Sequence, residues 1–563
     1  MHKQLIECVP NFSEGCDLNI IKQITDAIES AEGVRLLDVD NGKATNRTVV
    51  TFVGEPEAVI EGAFRGIQKA AQLIDMSKHF GEHPRMGATD VCPLIPIQGI
   101  SMEETTAYAV KLAKRVGDEL NIPAYLYEYA QPDKKRSNLS IIRAGEYEGF
   151  FDKIKLPEWK PDFGPDTFNT SAGGTVIGAR DFLIAYNVNL NTKSTRIANR
   201  IAFDVREAGR VVREGNPYNG KIKNDENGEP VRIPGKLKHV KAIGWYIEEY
   251  SMAQISINLT NCRETPLHTV FEECRKSADE RGARVTGSEL VGLIPLQPML
   301  DAGKYFLQNQ GLSAGVSEEE LIWTAIKSMG LDELGPFDPQ KKIIEYLLKD
   351  ELDEKLISLT VKGFANETAA DSPAPGGGSV AAAVGAFGVA LGTMVANLSA
   401  SKRGWEERTA EFTPWAEKGQ QLKDKLLALV DEDTRAFNAI MTAFGLPKDT
   451  EEQKISRKEA IQSASKYATE VPFRTLATVM EAIPLLREMI NKGNPNSLSD
   501  AGVGAACLFT AMQGAWMNVL INAQSLDDKV WAAAMTAKAE KLILEGRIAC
   551  NAMVAEVENR LRG

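Results

Sequence analysis

Histidine is scarce in this 563-residue chain, and it is unevenly distributed. The five histidines stand at positions 2, 79, 83, 239 and 268, so none follows position 268. Imidazole is the side chain that most readily exchanges protons near neutral pH. Proton-transfer chemistry in the last half of the chain must therefore use other groups.

Cysteine and excess positive charge are also lacking. Seven cysteines, an odd number without C-x-x-C spacing, argue against a disulfide scaffold or a Cys₄ zinc site and indicate a reducing compartment. The first residues, MHKQLIECVPNFSEG, lack the long apolar run of a secretory signal, so we expect a cytoplasmic protein. The net charge of −12 argues against a nucleic-acid partner.

One segment carries no charge at all. Residues 372–401 contain the Gly388-x-x-x-Gly392 spacing found in membrane-spanning helices. The length fits either a membrane span or a buried helix. Its apolar residues are mostly Ala and Gly, which also allow helices to pack closely in soluble bundles. The composition therefore favours the buried helix, and we expect no membrane partner.

The first 350 residues alternate between strand and helix patterns. Their order, β-α-β-β-α-β, occurs twice and is typical of a ferredoxin-like unit. The first copy comprises 4–9, 18–31, 34–39, 47–53, 56–74 and 90–97, extended by a helix at 102–119 and a strand at 124–127. The second comprises 182–189, 193–209, 239–247, 253–259, 267–281 and 291–296. Between them, the turn-rich residues 210–236 predict an exposed excursion.

The pattern changes near residue 350. Only seven of the 25 prolines follow residue 355, and long helical periodicities dominate. The predicted helices are 379–400, 415–444, 451–468, 471–489, 498–524 and 527–560. The predicted fold is therefore an α+β N-terminal part with two ferredoxin-like βαββαβ subdomains, fused to an all-α helical bundle.

The first candidate site is the loop from Lys78 to Gly87, which holds His79 and His83. A loop histidine suits proton transfer to and from nitrogen. The two histidines with Glu82 could instead bind a metal, although Gly81 and Pro84 disfavour the helix that their spacing would require. A third interpretation is a solvent-exposed loop without chemistry.

Two glycine-rich segments are further candidates. Residues 164–175 could hold a carboxylate or carbonyl with backbone amides and hydroxyls, or could simply connect subdomains. No Walker lysine follows them, so nucleotide phosphate is not indicated. Residues 374–379 could present free amides to an anion at a helix start, or form a hinge with Ser379 as a cap.

In the histidine-free half, Asp433 within Asp431-Glu432-Asp433 is one of few acid–base candidates. Acidic triplets on helices are more often a solvated face. Residues 494–500 resemble another helix start that capping alone explains.

Together these segments resemble the formimidoyltransferase-cyclodeaminase family, the bifunctional folate enzymes of histidine breakdown. The resemblance covers the whole chain. It is carried by CVPNFSEG (8–15), LLDVD (36–40), TNRTVVTFVG (45–54), GEHPRMGATDVCP (81–93), IRAGEYE (142–148), PDFGP (161–165), IGWY (243–246), LVGLIPL (290–296), PAPGGGSVAAA (373–383) and MNVLIN (517–522).

The resemblance implies a domain plan and two sites. Transferase subdomains would span 1–182 and 183–347, a linker 348–355, and a helical cyclodeaminase 356–563. The implied catalytic residues are His83 for transfer and Asp433 for cyclodeamination. The implied folate-binding loop is Gly164, Pro165, Asp166, Thr167, Phe168, Asn169, Thr170, Ser171, Ala172 and Gly173. Gly376, Gly377, Gly378 and Ser379 form a tentative folate site of the cyclodeaminase.

The resemblance also implies substrates and assembly. The substrates would be N-formimino-L-glutamate and tetrahydrofolate, the latter a co-substrate with or without a polyglutamate tail, and no metal is expected. Family members self-associate into dimers or higher oligomers, so we expect the same here. A net-acidic protein needs local basic residues to bind the anionic folate tail, and the candidates are Lys134, Lys135, Arg136 and Arg143. The excursion at 210–236 is longer than the family's usual connection.

Overall fold

The structure is a computed structural model that describes residues 4–43, 45–81, 84–216, 220–348, 356–371 and 374–563. Glu82 and His83 lie outside these ranges. The chain divides into two compact units, Met1–Met299 with Met329–Leu347, and Leu300–Ser328 with Leu348–Gly563. The first unit contains sheets and helices and the second is helical, so the prediction of fold class is confirmed at this level.

A seven-stranded sheet forms the first half of the first unit. Its strands are β1 (Leu5–Cys8), β2 (Asn11–Phe12), β3 (Val34–Gly42), β4 (Arg47–Gly54), β5 (Thr89–Gln98), β6 (Ala124–Glu128) and β7 (Thr175–Ala179). Strands β1 and β2 both lie between β4 and β5, and β3 pairs with β4. On the other side, β5, β7 and β6 run parallel. The parallel strand β7 was absent from the prediction.

The two faces of this sheet differ because side chains alternate along a strand. Ile6 and Cys8 of β1 are buried in a core formed with three helices, whereas Glu7, and Val9 just after the strand, line a cavity on the opposite face. The helices are α1 (Leu18–Glu29), α2 (Pro56–Leu73) and α3 (Met102–Leu120). Two short helices follow, α4 (Leu139–Ile142) and α5 (Glu146–Lys153).

A four-stranded antiparallel sheet forms the second half of the unit, in the order β13-β14-β8-β15. Its elements are β8 (Ile184–Leu190), α6 (Thr195–Val205), β13 (Val240–Ile247), β14 (Met252–Leu259), α7 (Leu267–Asp279) and β15 (Val285–Val291). The predicted strand at 291–296 is wrong, because the strand ends at Val291. Gly292 follows with a φ of +74°, and helix α8 (Leu296–Asn309) begins four residues later. Most of α8 and of α9 (Glu318–Met329) belongs to the second unit, whereas the short helices α10 (Pro339–Lys342) and α11 (Ile344–Leu348) lie at the end of the first.

The excursion at 210–236 contains two small antiparallel pairs. Strand β9 (Arg210–Val211) pairs with β12 (Arg232–Ile233), and β10 (Arg213–Glu214) pairs with β11 (Lys221–Ile222). Both residues of β11 and both of β12 are exposed, as predicted for this segment. The predicted turn residues at 217–219 lie outside the described residues.

The second unit is built mainly from long helices. They are α12 (Val361–Thr368), α13 (Gly377–Ala400), α14 (Thr409–Phe444), α15 (Glu451–Lys492), α16 (Leu498–Gln524) and α17 (Lys529–Arg562). The predicted helices 451–468 and 471–489 are one helix, so the prediction of a break is wrong. Pro472 lies inside α15 and removes a backbone donor. The neighbouring Val471 and Leu476 are fully buried in the core, and this packing maintains the helix.

Helix α13 corresponds to the charge-free segment, and most of it is buried within the second unit. Its glycines allow close packing: a Cβ on Gly388 would meet the Gly504 carbonyl oxygen at 2.9 Å, and one on Gly392 would meet Leu486 at 2.7 Å. Within the described part of the chain, two helices, Gly377–Ala400 and Pro495–Gln524, are long and apolar enough to cross a membrane by length and composition alone. The core helix of a soluble protein meets the same criterion.

Candidate active sites

The first unit contains a cavity of about 860 Å³ on the sheet face that α1–α3 leave open. Glu7, Val9 and Asn11 line it from the first sheet, and Lys241 and Asn258 from the second. Small-molecule pockets commonly measure roughly 300–1,000 Å³. The cavity is therefore large enough for a ligand of folate size.

The cavity wall carries charged side chains at positions where a strand buried on both faces would be apolar. Arg47 and Arg180 lie there with the acidic Glu7. Burial lowers the pKa of Arg47 to about 10 and raises the pKa of Glu7 to about 7. Sequence reasoning missed these residues. The available signal was the presence of Glu7 and Arg47 within otherwise apolar strand patterns.

The 81–87 loop is anchored on both sides of its two undescribed residues. On the N-terminal side, the Asn46 side chain donates to the carbonyl of Phe80 at 2.8 Å. The buried His79 contacts the Asn46 carbonyl through Nε2 at 2.9 Å, and its Nδ1 accepts from Arg85 at 3.4 Å. Both ring nitrogens are thus engaged by the protein, which disfavours His79 as a metal ligand. Burial also lowers the pKa of His79.

On the C-terminal side, the anchor is an ion-pair network. The buried Arg85 pairs with Glu148 at 2.7 Å and with Glu146 at 3.1 Å. The fully buried Asp90 accepts the backbone N–H of Met86 at 2.9 Å. The chain is therefore held within two or three residues of position 83 on either side, although His83 itself lies outside the described residues.

Arg143 connects this anchor to the cavity. Its Nη1 donates to the Pro84 carbonyl at 2.7 Å and to Asp90 at 2.8 Å, and its side chain lines the cavity. Burial raises the pKa of Asp90, and Arg143 and Arg47 oppose that rise. The backbone next to position 83 is thereby bonded to a cavity-lining cation.

The predicted folate loop, 164–173, packs against this same region. The Met76 amide donates to the Ser171 carbonyl at 2.9 Å, and the Ala88 amide donates to that of Ala172 at 2.8 Å. Gly173 adopts a φ of +67° and forms a bridge with Gly87. The structure thus brings the two predicted transferase segments together.

The internal bonds of this loop limit its role as an amide cradle. The Ala172 amide donates to the Asn169 side chain and the Gly173 amide to the Asn169 carbonyl. These two amides are therefore unavailable to a ligand. The Phe168 ring stacks on Phe151 at 3.6 Å, which gives the loop an aromatic surface.

The other predicted basic residues occupy different positions. Lys134 lines the cavity, and Lys135 is exposed. Arg136 pairs with Asp162 at 3.3 Å, so its charge is partly neutralised within the fold.

In the second unit, the structure brings Asp433 to the N-terminus of α13. The Ser379 hydroxyl donates to Asp433 Oδ2 at 3.1 Å and lies 3.2 Å from the Thr434 hydroxyl. A Cβ on Gly378 would overlap the Asp433 carboxylate, so any larger residue there would require that side chain or the start of α13 to move. Burial raises the pKa of Asp433, and its hydrogen bonds with Ser379 oppose the rise. A carboxylate, a hydroxyl and a helix start therefore meet at one point.

The other two acidic residues of the triplet have different partners. Asp431 is buried and accepts the Leu356 amide at 2.8 Å. Glu432 accepts from Tyr467 at 2.6 Å and pairs with Arg474 at 2.5 Å. The interpretation of the triplet as a solvated face is therefore wrong, because each member makes a specific contact. Among the described residues, no group of three His, Cys, Asp or Glu is placed to hold a metal ion.

The structure thus contains two candidate sites. One is an arginine-rich cavity lined by strands of the first unit, and the other is a buried carboxylate at the start of a helix in the second unit. Three family models match successive parts of the chain. They are the formiminotransferase domain, N-terminal subdomain (5–180), the formiminotransferase domain (185–349) and formiminotransferase-cyclodeaminase (360–541).

Known proteins give the same result. The chain is 44% identical over 558 residues to the formimidoyltransferase-cyclodeaminase of Mus musculus, covering 99% of both chains. It is 43% identical over 313 residues to the glutamate formimidoyltransferase of Thermoplasma acidophilum, covering 55% of this chain and 95% of that one. It is 39% identical over 186 residues to the methenyltetrahydrofolate cyclohydrolase of Methylorubrum extorquens, covering 33% of this chain and 89% of that one. The chain belongs to the formimidoyltransferase-cyclodeaminase family, which confirms the resemblance inferred from its motifs.

Proposed function

We propose that this chain is a bifunctional folate enzyme of histidine degradation. It transfers the formimino group of N-formimino-L-glutamate to tetrahydrofolate and releases L-glutamate. It then cyclises 5-formiminotetrahydrofolate to 5,10-methenyltetrahydrofolate and releases ammonia. The observation that carries this proposal is the similarity to relatives of both activities along the whole chain.

In the transfer, N5 of tetrahydrofolate attacks the amidine carbon and forms a tetrahedral adduct, in which that carbon carries N5, the former imino nitrogen and the glutamate nitrogen. We assign His83 as the base toward N5 and then as the acid toward the departing glutamate nitrogen. The support is positional: the flanks of residue 83 are anchored by Asn46 and Asp90, and Arg143 bonds that region to the cavity. Holding both substrates together in such a cavity supplies much of the rate. Folate contact by residues 164–173 is supported by their packing against Met76 and Ala88.

In the cyclisation, N10 attacks the formimino carbon, and ammonia departs. We assign Asp433 to deprotonate or orient N10, or to stabilise the cationic amidine. Burial of the carboxylate and its contact with Ser379 support a role that a solvent-exposed aspartate would not need. Residues 376–379 begin α13 and are proposed to contact the folate there.

The architecture, assembly and location are part of the proposal. The strand orders β5-β1-β4-β3 and β15-β8-β14-β13 support two ferredoxin-like subdomains, at 1–182 and 183–347. A linker at 348–355 and a cyclodeaminase at 356–563 would complete the chain. Family resemblance supports self-association, and the cysteine pattern supports a cytoplasmic location.

The test combines purified protein, formiminoglutamate and tetrahydrofolate. Glutamate release reports the transfer, and the near-ultraviolet absorbance of the methenyl product reports the cyclisation. We expect both signals. If the wild-type protein binds folate but produces neither, it is a folate sensor and the proposal is wrong.

A second reaction is favoured by the similarity of 186 residues of this chain to a methenyltetrahydrofolate cyclohydrolase. That reaction would hydrolyse the methenyl product to a formyl product. It is tested by supplying 5,10-methenyltetrahydrofolate alone: decay of its absorbance faster than in buffer would support hydrolysis, and an equal rate would restrict the second unit to cyclodeamination.

A further inference from the structure

Arg143 lines the cavity, and one of its terminal nitrogens is hydrogen-bonded to the protein. Its Nη1 group makes both of its hydrogen bonds, to the Pro84 carbonyl and to Asp90. Its Nε and Nη2 groups make no hydrogen bond or ion pair to the described residues. The side chain is only 12% exposed, so the surrounding protein restricts the orientation of the guanidinium. The uncommitted edge carries two parallel N–H donors.

This edge matches a carboxylate. A guanidinium presents its N–H groups as a planar fork, and a carboxylate accepts two parallel hydrogen bonds from it. Because Asp90 and Pro84 fix the position of Nη1, the free edge is already oriented when the ligand arrives. Preorganisation of this kind lowers the cost of binding.

The position along the chain identifies which carboxylate. Pro84 is bonded directly to residue 83, and consecutive Cα atoms lie about 3.8 Å apart. In formiminoglutamate, the α-carboxylate is attached to the carbon that carries the formimino nitrogen. In tetrahydrofolate, the tail carboxylates are separated from N5 by the whole aminobenzoyl group. A cation next to the catalytic loop therefore lies near the donor's α-carboxylate when the reacting atoms meet.

We propose that Arg143 binds the α-carboxylate of the formimino donor through its Nε–Nη2 edge and so holds the donor beside Pro84. This inference rests on the proposed transferase function. It reassigns Arg143 from the folate tail to the second substrate. Asp90 is then a positioning residue, since it orients the guanidinium without touching the donor.

The test measures KM separately for the two transferase substrates. Arg143→Lys keeps the charge and loses the fork, and we expect KM for formiminoglutamate to rise about tenfold. Arg143→Gln removes the charge, and we expect a rise of about 100-fold. The KM for tetrahydrofolate should not change, and inhibition by the product glutamate should weaken in parallel. Formiminoglycine, which retains the α-carboxylate but lacks the side-chain carboxylate, should show the same dependence on Arg143.

Three controls separate this role from a structural one. Cyclisation of supplied 5-formiminotetrahydrofolate by the same variant chain reports whether the protein is intact. Lys155→Gln removes an equal charge from an exposed lysine that pairs with Asp152 and should leave both KM values unchanged. If Arg143→Gln fails to fold because the buried Asp90 loses its ion pair with Arg143, the double variant with Asp90→Asn removes both charges and takes its place.

The outcomes are distinct. A selective rise in the KM for formiminoglutamate supports the proposal. A rise confined to tetrahydrofolate assigns Arg143 to the folate tail, and unchanged constants assign it to the fold alone, so either result overturns the proposal. If the wild-type protein catalyses no transfer, the result instead contradicts the proposed function itself.

Discussion

The two candidate sites present a protein group to a nitrogen nucleophile in different ways. In the first unit, the site lies on a sheet face, and alternation along the strands places Glu7, Val9 and Asn11 in one cavity wall. In the second, the site lies where a glycine-rich turn begins α13, and the residue facing it is Asp433 on α14. The first site is therefore a broad cavity lined by strand residues. In the second site, the start of one helix lies in close contact with a single carboxylate.

The comparison also explains the uneven distribution of histidine. The transfer must give a proton to a departing nitrogen after removing one from another, and imidazole does both near neutral pH. The helical unit has no histidine, so the acid–base group proposed for it is a carboxylate. Burial raises the pKa of that carboxylate, Asp433. The proposed assignments therefore give one unit an imidazole and the other a carboxylate whose pKa is shifted by its environment.

Replacement of His83 should produce the largest effect and the sharpest separation of the two units. Loss of a general acid–base group costs typically 10²–10⁴-fold, so we expect His83→Ala to reduce glutamate release about 1,000-fold. Cyclisation of supplied 5-formiminotetrahydrofolate should be unaffected. Wild-type transfer in this variant would show that another group moves the proton.

Replacement of Asp433 should reverse the pattern. Asp433→Asn keeps the size of the side chain and removes its ionisation, so cyclisation should fall about 100-fold while transfer continues. The accumulating 5-formimino intermediate can be quantified chromatographically. Equal loss of both activities would indicate a folding defect rather than a catalytic role.

The same variant tests the pKa of Asp433 by stability. A carboxyl whose folded pKa is raised contributes stability below its unfolded pKa of 3.8, and loses that contribution as pH rises through the folded value. Asp433→Asn cannot ionise, so its melting temperature relative to wild type should increase as pH rises from about 4 toward neutrality. A constant difference over that range would contradict the pKa shift. The wild-type cyclisation rate should also fall as pH drops through the raised pKa, because the carboxylate is lost.

Gly378→Ala should disturb the same site by steric overlap. The new methyl group would occupy the position of the Asp433 carboxylate, so that side chain or the start of α13 must move. We expect cyclisation to fall about tenfold, with the cost of overpacking, about 1–3 kcal/mol, seen as a lower melting temperature. Gly376→Ala places its methyl group in open space and should leave the melting temperature unchanged. Equal melting temperatures for the two variants would contradict the close approach.

Sequence periodicity predicted most strands and helices of both units, but not the elements decided by tertiary packing. Strand β15 was misplaced as a whole because residues 290–296 form one apolar run, whereas the strand ends at Val291, before Gly292 with its positive φ. The break near Pro472 was wrongly predicted because burial of Val471 and Leu476 is invisible to a local rule. Length does not explain why β7 was missed, because β6 is equally short and was predicted.

The site was predictable only where family motifs named its residues. Those motifs indicated His83, the 164–173 loop and Asp433, and the structure places the loop beside the flanks of residue 83. The roles of Arg143 and Asp90 could not be derived from sequence, because their meeting depends on residues 53 positions apart. Charge within a strand pattern signals a functional face, but it does not identify the partner.

The smallest expected effect on activity concerns Asn46, whose side chain anchors Phe80 without lining the cavity. Its side chain accepts the Gly15 amide at 2.9 Å and donates to the Phe80 carbonyl at 2.8 Å, and its φ is +47°. Two hydrogen bonds contribute about 1 kcal/mol each, and an alanine in the left-handed region costs about 1 kcal/mol more. Asn46→Ala should therefore destabilise the first unit by about 3 kcal/mol and Asn46→Gly by about 2 kcal/mol. Transfer should slow several-fold in both, because the loop loses one anchor, while cyclisation should be unaffected. Comparing the two variants by urea unfolding isolates the backbone strain, and a glycine variant less stable than the alanine variant would show that side-chain bonding alone holds this end of the loop.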